Sequence, residues 1–195
     1  FTYNAPADSF SIIRLKTGNG GSKAYISGYE DGTFRPDNTI TRAEAAAIIA
    51  RCSADFDENK TYASDFTDVS DNEWYANYVG YAAEKGYIHG YEGGPFKADI
   101  DITRGELAVI LSKYGSFDGD GICTEFSDVP NDYYATEYIK ALYDENIVSG
   151  YEDGTFKPDN SVTRAEAVTM MNKVLGNPIA ENAENLFGDV SPDHW

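Results

Sequence analysis

Gly28-Tyr29-Glu30-Asp31-Gly32-Thr33-Phe34-Arg35-Pro36-Asp37-Asn38-Thr39-Ile40-Thr41-Arg42-Ala43-Glu44 decides the reading of this chain, because it recurs. Gly90 opens GYEGGPFKADIDITRGE, ending at Glu106, and Gly150 opens GYEDGTFKPDNSVTRAE, ending at Glu166. A fixed internal period is the mark of a repeat architecture and outranks any local pattern. A second block has the same habit. Phe66-Thr67-Asp68-Val69 leads to Trp74, Phe126-Ser127-Asp128-Val129 leads to Tyr134, and Phe187-Gly188-Asp189-Val190 leads to Trp195. From Phe66 to Thr103 each position maps onto the third unit by adding 60, without a gap.

Working outward from the motif, each complete unit has an FxDV segment, a first helix, a glycine-rich loop and a second helix. The first helices are predicted at 74–85 and 134–145, from Trp74, Tyr78, Tyr81 and Ala82 and from Tyr134, Tyr138, Ala141 and Leu142. The second helices show apolar stripes at i, i+3, i+4, i+7: Ala45, Ile48, Ile49, Cys52; Leu107, Ile110, Leu111, Tyr114; Ala167, Met170, Met171, Val174. That spacing is one helical face. A single hairpin cannot bury it, so the units are expected to pack on one another. The fold class is therefore mainly α: three helix–loop–helix repeats in a bundle. The division is 1–23, a short strand and loop; 24–60, a first repeat without its first helix; 61–118 and 119–178, two full repeats; and 179–195, the start of a further first-helix block.

Charge narrows the function. Against 33 acidic residues there are 15 basic ones, a formal charge of −18. Nucleic acids and anionic membranes select basic surfaces, so neither is an expected partner. No stretch reaches the length of a membrane span, and no membrane insertion is expected. The chain starts Phe1-Thr2-Tyr3 without a methionine and reads as a fragment or processed form. Cys52, Cys123, His89 and His194 stand apart in the sequence, which argues against a metal centre and implies no cofactor. Asp118-Gly119-Asp120-Gly121 lacks the ligand spacing and late glutamate of a calcium loop and reads as a solvated linker. Carboxylate pairs are expected by chance in so acidic a chain, and no copy has a distinctive nucleophile or base, so an enzyme is not expected.

The repeated polar residues form the candidate site. Thr41 with Glu44, Thr103 with Glu106 and Thr163 with Glu166 have the spacing of capping boxes, which start helices. Arg42, Arg104 and Arg164 sit at the first helical position, where the helix dipole disfavours a cation. Two readings follow: an anion site, a guanidinium beside free helix N–H groups, or an exposed arginine paired with a neighbouring acid. Arg35, Lys97 and Lys157 recur seven positions earlier, as local positive charge or as solvated loop cations. Phe34, Phe96 and Phe156 are expected to plug the loop into the core. Tyr29, Tyr91 and Tyr151 either pack or face a sugar. Trp74 and Tyr134 lead their helices, with core packing the default and stacking on a sugar ring the alternative. Asp31 and Asp153, in Asp-Gly turns, complete the candidate ligand set.

Taken together, FxDV, an aromatic eight residues after its Phe, GYxDGTFxP and TRAE resemble S-layer homology repeats over almost the whole chain from Ala24 onward. The resemblance implies a pseudo-threefold bundle with grooves between neighbouring units. It also implies an extracellular, wall-associated module binding secondary cell-wall polysaccharide, often pyruvylated, without covalent linkage. The TRAE arginines carry over as ligand contacts onto Arg42, Arg104 and Arg164, where a ketal carboxylate suits a guanidinium. Two alternatives stand beside this: a self-associating or protein-binding unit among surface-layer neighbours, and the anchoring part of a larger polysaccharide-active enzyme. The second copy departs from the pattern with Gly93, Pro95, Ala98 and Gly105, which puts its groove in doubt.

Two structural expectations remain. Cys52, last in its stripe, is expected as a buried free thiol, with a Cys52–Cys123 disulfide as the alternative in an exported chain. The ends of a pseudo-threefold bundle lie close together. Phe187 and Val190 are therefore expected beside the first unit, in the place of its missing FxDV block, with Trp195 near Tyr29 or Thr41.

Overall fold

The computed structural model describes the backbone of residues 14–16 and 22–24, and residues 25–119, 121–123, 125–176 and 187–190. β1 (Arg14–Lys16) and β2 (Ser22–Ala24) pair antiparallel, Leu15 opposite Lys23. Five helices follow: α1 (Arg42–Cys52), α2 (Ala76–Glu84), α3 (Arg104–Gly115), α4 (Thr136–Asp144) and α5 (Arg164–Val174). The fold is mainly α, as the periodicity implied.

The second helices begin at the three arginines. Thr41, Thr103 and Thr163 are extended N-caps, and each accepts from the amide three residues on while Glu44, Glu106 or Glu166 accepts in return from the cap amide. The first helices begin two residues later than the periodicity suggested. Trp74 and Tyr134 lie in the turn before the helix and are 44% and 57% exposed. Their successors Tyr75 and Ala135 go inward instead, followed by Val79 and Ile139. The expected stripe therefore holds in its second half, where Tyr81, Ala82, Ala141 and Leu142 are buried, and is replaced by Tyr75 and Val79 or Ala135 and Ile139 in its first.

Three segments meet at the pseudo-threefold axis. Ile40 N–H donates to Val162 O (3.1 Å), Val162 N–H to Ile102 O (3.0 Å), and Ile102 N–H to Ile40 O (3.0 Å). All three side chains are fully buried. The ring of hydrogen bonds returns to its start, so each repeat touches both others. Around it Phe34, Phe96 and Phe156 fill the core at 0–1% exposure.

Each FxDV segment clamps one loop. Asp68 accepts from Phe96 N–H (2.6 Å) and Lys97 N–H (2.7 Å), and Asp128 from Phe156 and Lys157 (both 2.7 Å). Asp189 accepts from Phe34 (2.8 Å) and Arg35 (2.7 Å), 155 and 154 residues earlier in the chain. Phe187 and Val190 are buried, and the Phe187 ring lies 5.6 Å from that of Phe34. The segment therefore takes the place expected of it. The stripe of α1 is covered by α2, and α3 is packed by α4, so these two second helices each use the first helix of the following unit. Trp195 lies outside the described residues.

Cys52 and Cys123 are both buried free thiols. Burial raises the Cys52 pKa far above its ordinary range.

Candidate functional site

The arginines do not face open helix ends. Arg42 N–H donates to Ile100 O (2.9 Å), Ala43 N–H to Ala98 O (3.0 Å), and Glu44 N–H to the Thr41 hydroxyl (3.2 Å). The other two helix starts repeat this, Arg104 and Gly105 bonding Asn160 and Pro158, and Arg164 and Ala165 bonding Asn38 and Pro36. The free N–H groups assumed in the anion-site reading are thus occupied by the neighbouring repeat's loop.

The guanidinium groups are buried at 5–6% exposure and reach into the next repeat. Arg42 donates from Nε to Phe96 O, from one terminal nitrogen to Glu106 Oε1 (both 2.9 Å), and from the other to His89 O (2.8 Å). Arg104 bonds Phe156 O and Glu166 Oε1, both at 2.9 Å. Arg164 bonds Phe34 O (2.8 Å) and Ser27 O (2.7 Å), closing the circuit on the first repeat. The expected acid partner is present for Arg42 and Arg104, but in a buried interface rather than at the surface.

Each GYxxG tyrosine stands between two cations of different origin. Tyr91 has the Arg42 guanidinium 4.7 Å and Lys97 Nζ 4.4 Å from its ring centre. Tyr151 has Arg104 at 5.0 Å and Lys157 at 4.0 Å, and Tyr29 has Arg164 at 5.0 Å and Arg35 at 3.9 Å. Such contacts favour a cation over a ring face. Burial and the hydrogen bond it donates to Glu106 (2.5 Å) push the Tyr91 phenol up to about 12, so it stays a donor.

A cleft of about 420 Å³ opens along the seam of the first two repeats. Arg42 and Glu106 contribute to its lining, Tyr91 and His89 come from the second repeat's loop, and Tyr134 comes from the third repeat. The site is therefore shared by all three units. Trp74 and Trp195 occupy the positions matching Tyr134 in the repeat alignment. Asp31 and Asp153 hold their own loops. The Thr33 hydroxyl and amide and Arg35 bond Asp31, and these donors, Thr33 first, hold its carboxyl down at about 2. Asp153 accepts likewise from Thr155 and pairs with Lys157.

Two features escaped the sequence. Arg35, Lys97 and Lys157 have φ of 55°, 58° and 57°, a left-handed backbone uncommon for residues with a Cβ. It aims their amides at the FxDV aspartates. Gly105 is the other: a Cβ there would lie 2.7 Å from the Tyr133 hydroxyl.

Comparison with known proteins agrees with this geometry. The S-layer homology domain matches residues 22–46, 65–108 and 125–168, together more than half the chain. Cell surface glycoprotein 1 of Acetivibrio thermocellus is 38% identical over 90% of this chain, and the cellulosome-anchoring protein of the same organism is 36% identical over 91%. The surface-layer 125 kDa protein of Lysinibacillus sphaericus is 28% identical over 78%. The chain spans only 8%, 41% and 13% of these relatives' lengths. Three copies of one motif, joined through arginines that each enter the following repeat, match one family over most of the chain: it belongs to the S-layer homology domain family.

Proposed function

We propose that the chain is a non-catalytic module that anchors a larger protein to the bacterial cell wall. It binds an anionic secondary cell-wall polysaccharide, pyruvylated in our reading, without covalent linkage and in the seams between repeats. The observation that carries this is the cleft at Arg42, Tyr91 and Tyr134. It offers aromatic faces for sugar rings and hydrogen-bonding groups at its floor, the make-up of a small-ligand site. Family membership and the names of the relatives support a wall-associated, extracellular setting. Among the described residues no helix is long and apolar enough to cross a membrane.

The roles divide by exposure. Tyr134, and by correspondence Trp74, stack on sugar rings. Lys97, Arg35 and Lys157 supply charge at the loop surface. Arg42, Arg104 and Arg164 form the floor, while Asp31 and Asp153 shape the loops around them. Co-sedimentation with purified walls tests this, before and after chemical removal of ketal pyruvate. Binding to untreated walls that drops at least tenfold after removal is expected. Equal binding to both would sink the pyruvate reading, and self-association without wall binding would favour the surface-layer-neighbour alternative.

A further inference from the structure

The three seams are not chemically equal, and the differences converge on one of them. In the first and third repeats the loop cation is neutralised locally, by Arg35–Asp31 (2.8 Å) and Lys157–Asp153 (3.4 Å). The second repeat has Gly93 where those aspartates stand. Among the described residues Lys97 accordingly has no carboxylate within 4 Å, and its ammonium lies over Tyr91, a wall of the cleft. A second substitution falls on the same seam. Where the other repeats have Ser27 and Ser149 before the GY pair, this one has His89. The imidazole lines the cleft, and its Nε2 lies 2.6 Å from Lys113 Nζ. Lys113 likewise has no carboxylate within 4 Å among the described residues.

We propose that His89, from the lining of the cleft of the first two repeats, and Lys113, bonded to it just outside that lining, form an anion subsite at the cleft's edge, taking the charged substituent of the glycan, with Lys97 adding charge across Tyr91. The proposal rests on the wall-glycan reading and names the seam, and the residues, that select charge. The argument is one of charge availability. Arg42 is the obvious cation of this cleft, yet Glu106 already neutralises it at 2.9 Å. An incoming carboxylate or phosphate gains most from a cation that has no counter-ion, because a charge-assisted hydrogen bond is the stronger kind. Lys113, bonded to the His89 imidazole and with Glu137 near but beyond ion-pair distance, is less fully neutralised than Arg42.

The pair also couples binding to protons. The charged and titratable groups around His89 are Arg42 from α1, Glu106 and Lys113 from α3, Glu137 from α4 beyond Lys113, Glu92 of its own loop, and the phenols of Tyr91 and Tyr134. Burial, and then the charge of Lys113, lower the His89 pKa below 6.5, so near neutrality its Nε2 accepts from Lys113. An anion that displaces this contact and bonds both groups offsets their repulsion and favours the imidazolium, which then donates. Binding therefore takes up a proton and strengthens as pH falls.

Isothermal titration of the full chain decides this, with three methyl hexosides as probes: the pyruvate ketal, the 6-phosphate and the unmodified sugar, each at pH 8.0 and 5.5. The parent is expected to bind a charged probe several-fold more tightly at pH 5.5, and the unmodified sugar equally at both. His89→Ser, which copies the other two repeats, removes that difference. Lys113→Gln weakens the charged probe about tenfold, the loss of one charge-assisted bond. The two charged probes tell a ketal carboxylate from a phosphate ester. If His89→Ser and Lys113→Gln bind with parental affinity and pH dependence, the subsite is overturned while the anchoring function stands. If the parent fails to bind walls at all, the function falls first.

Discussion

At the residue scale, Arg104 shows how a residue read as a ligand contact is also a structural one. Its guanidinium is 6% exposed and joins two repeats through Phe156 O and Glu166. Removing one partner of such a pair leaves an unmatched charge, at a cost of about 3 kcal/mol. Arg104→Ala is expected to lower the urea midpoint accordingly, and Arg104→Lys, with charge but no fork of donors, to fall between. An unchanged midpoint would show that the pair contributes nothing to folding. Gly105 makes a complementary case. Alanine is the better helix former by up to about 1 kcal/mol, yet Gly105→Ala is expected to destabilise because its Cβ meets the Tyr133 hydroxyl at 2.7 Å. With Tyr133→Ala in the background the cost should shrink to what the Pro158 carbonyl, 3.2 Å from the Cβ position, still imposes, and a double-mutant cycle measures that coupling. The Thr-x-x-Glu boxes and their helix starts were legible because capping is local chemistry. The destination of the arginines was not, because their partners lie 47 to 137 residues away in sequence and only the packed ring brings them together.

At the element scale, the FxDV segments are clamps rather than helix starts. Each aspartate takes two consecutive amides of a loop whose second residue has a left-handed backbone, a conformation costing about 1–2 kcal/mol for a residue with a Cβ. For Asp68 and Asp189 burial alone would raise the pKa. The donated amides, Phe96 and Lys97 or Phe34 and Arg35, outweigh it and hold both below the ordinary 3.8. A carboxylate lowered in the folded state contributes stability that is complete above its unfolded value and disappears as pH falls through the folded one. Unfolding followed from pH 6 to pH 2 should therefore show stability lost below about pH 4, and Asp68→Asn should make that loss shallower. An identical acid profile for the variant would place the acid lability elsewhere. The period-3.6 stripes located every helix, but the first helices were misplaced by two residues. An aromatic at the head of a periodic run satisfies the pattern whether it packs or not, and the turns ending at Trp74 and Tyr134 leave both rings outside.

At the scale of the whole molecule, the three hydrogen bonds among Ile40, Ile102 and Val162 make the repeats a closed circuit rather than a stack with two ends. The packing of three units on one another was legible from the repeats, the pseudo-threefold arrangement came with the family resemblance, and from the two followed the return of Phe187 and Val190 to the first repeat. The inequality of the three seams was only half visible: Gly93 and His89 stand out in an alignment of the copies, but that His89 lines a cleft walled by Tyr91, over which Lys97 lies, is a fact of packing. Deleting residues 187–195 should leave the Phe34 loop without its clamp. Hydrogen exchange in residues 28–40 is then expected to quicken, with little change around Phe96 and Phe156, whose own clamps remain. Uniform protection in the truncated chain would mean that the segment is dispensable.

The clamp of Asp189 on Phe34 and Arg35 also sets an order in time. A polypeptide emerging from a ribosome or an export channel exposes its early residues first, and the second and third loops meet their aspartates after 28 or 29 residues. The first loop must wait for a partner 154 residues downstream. Contacts that span so much chain form late, since closing a long loop is the entropic toll of the slowest step. Until its final stretch has cleared the exit, this domain holds one seam open. The clamp on the first loop is the last of the three to close.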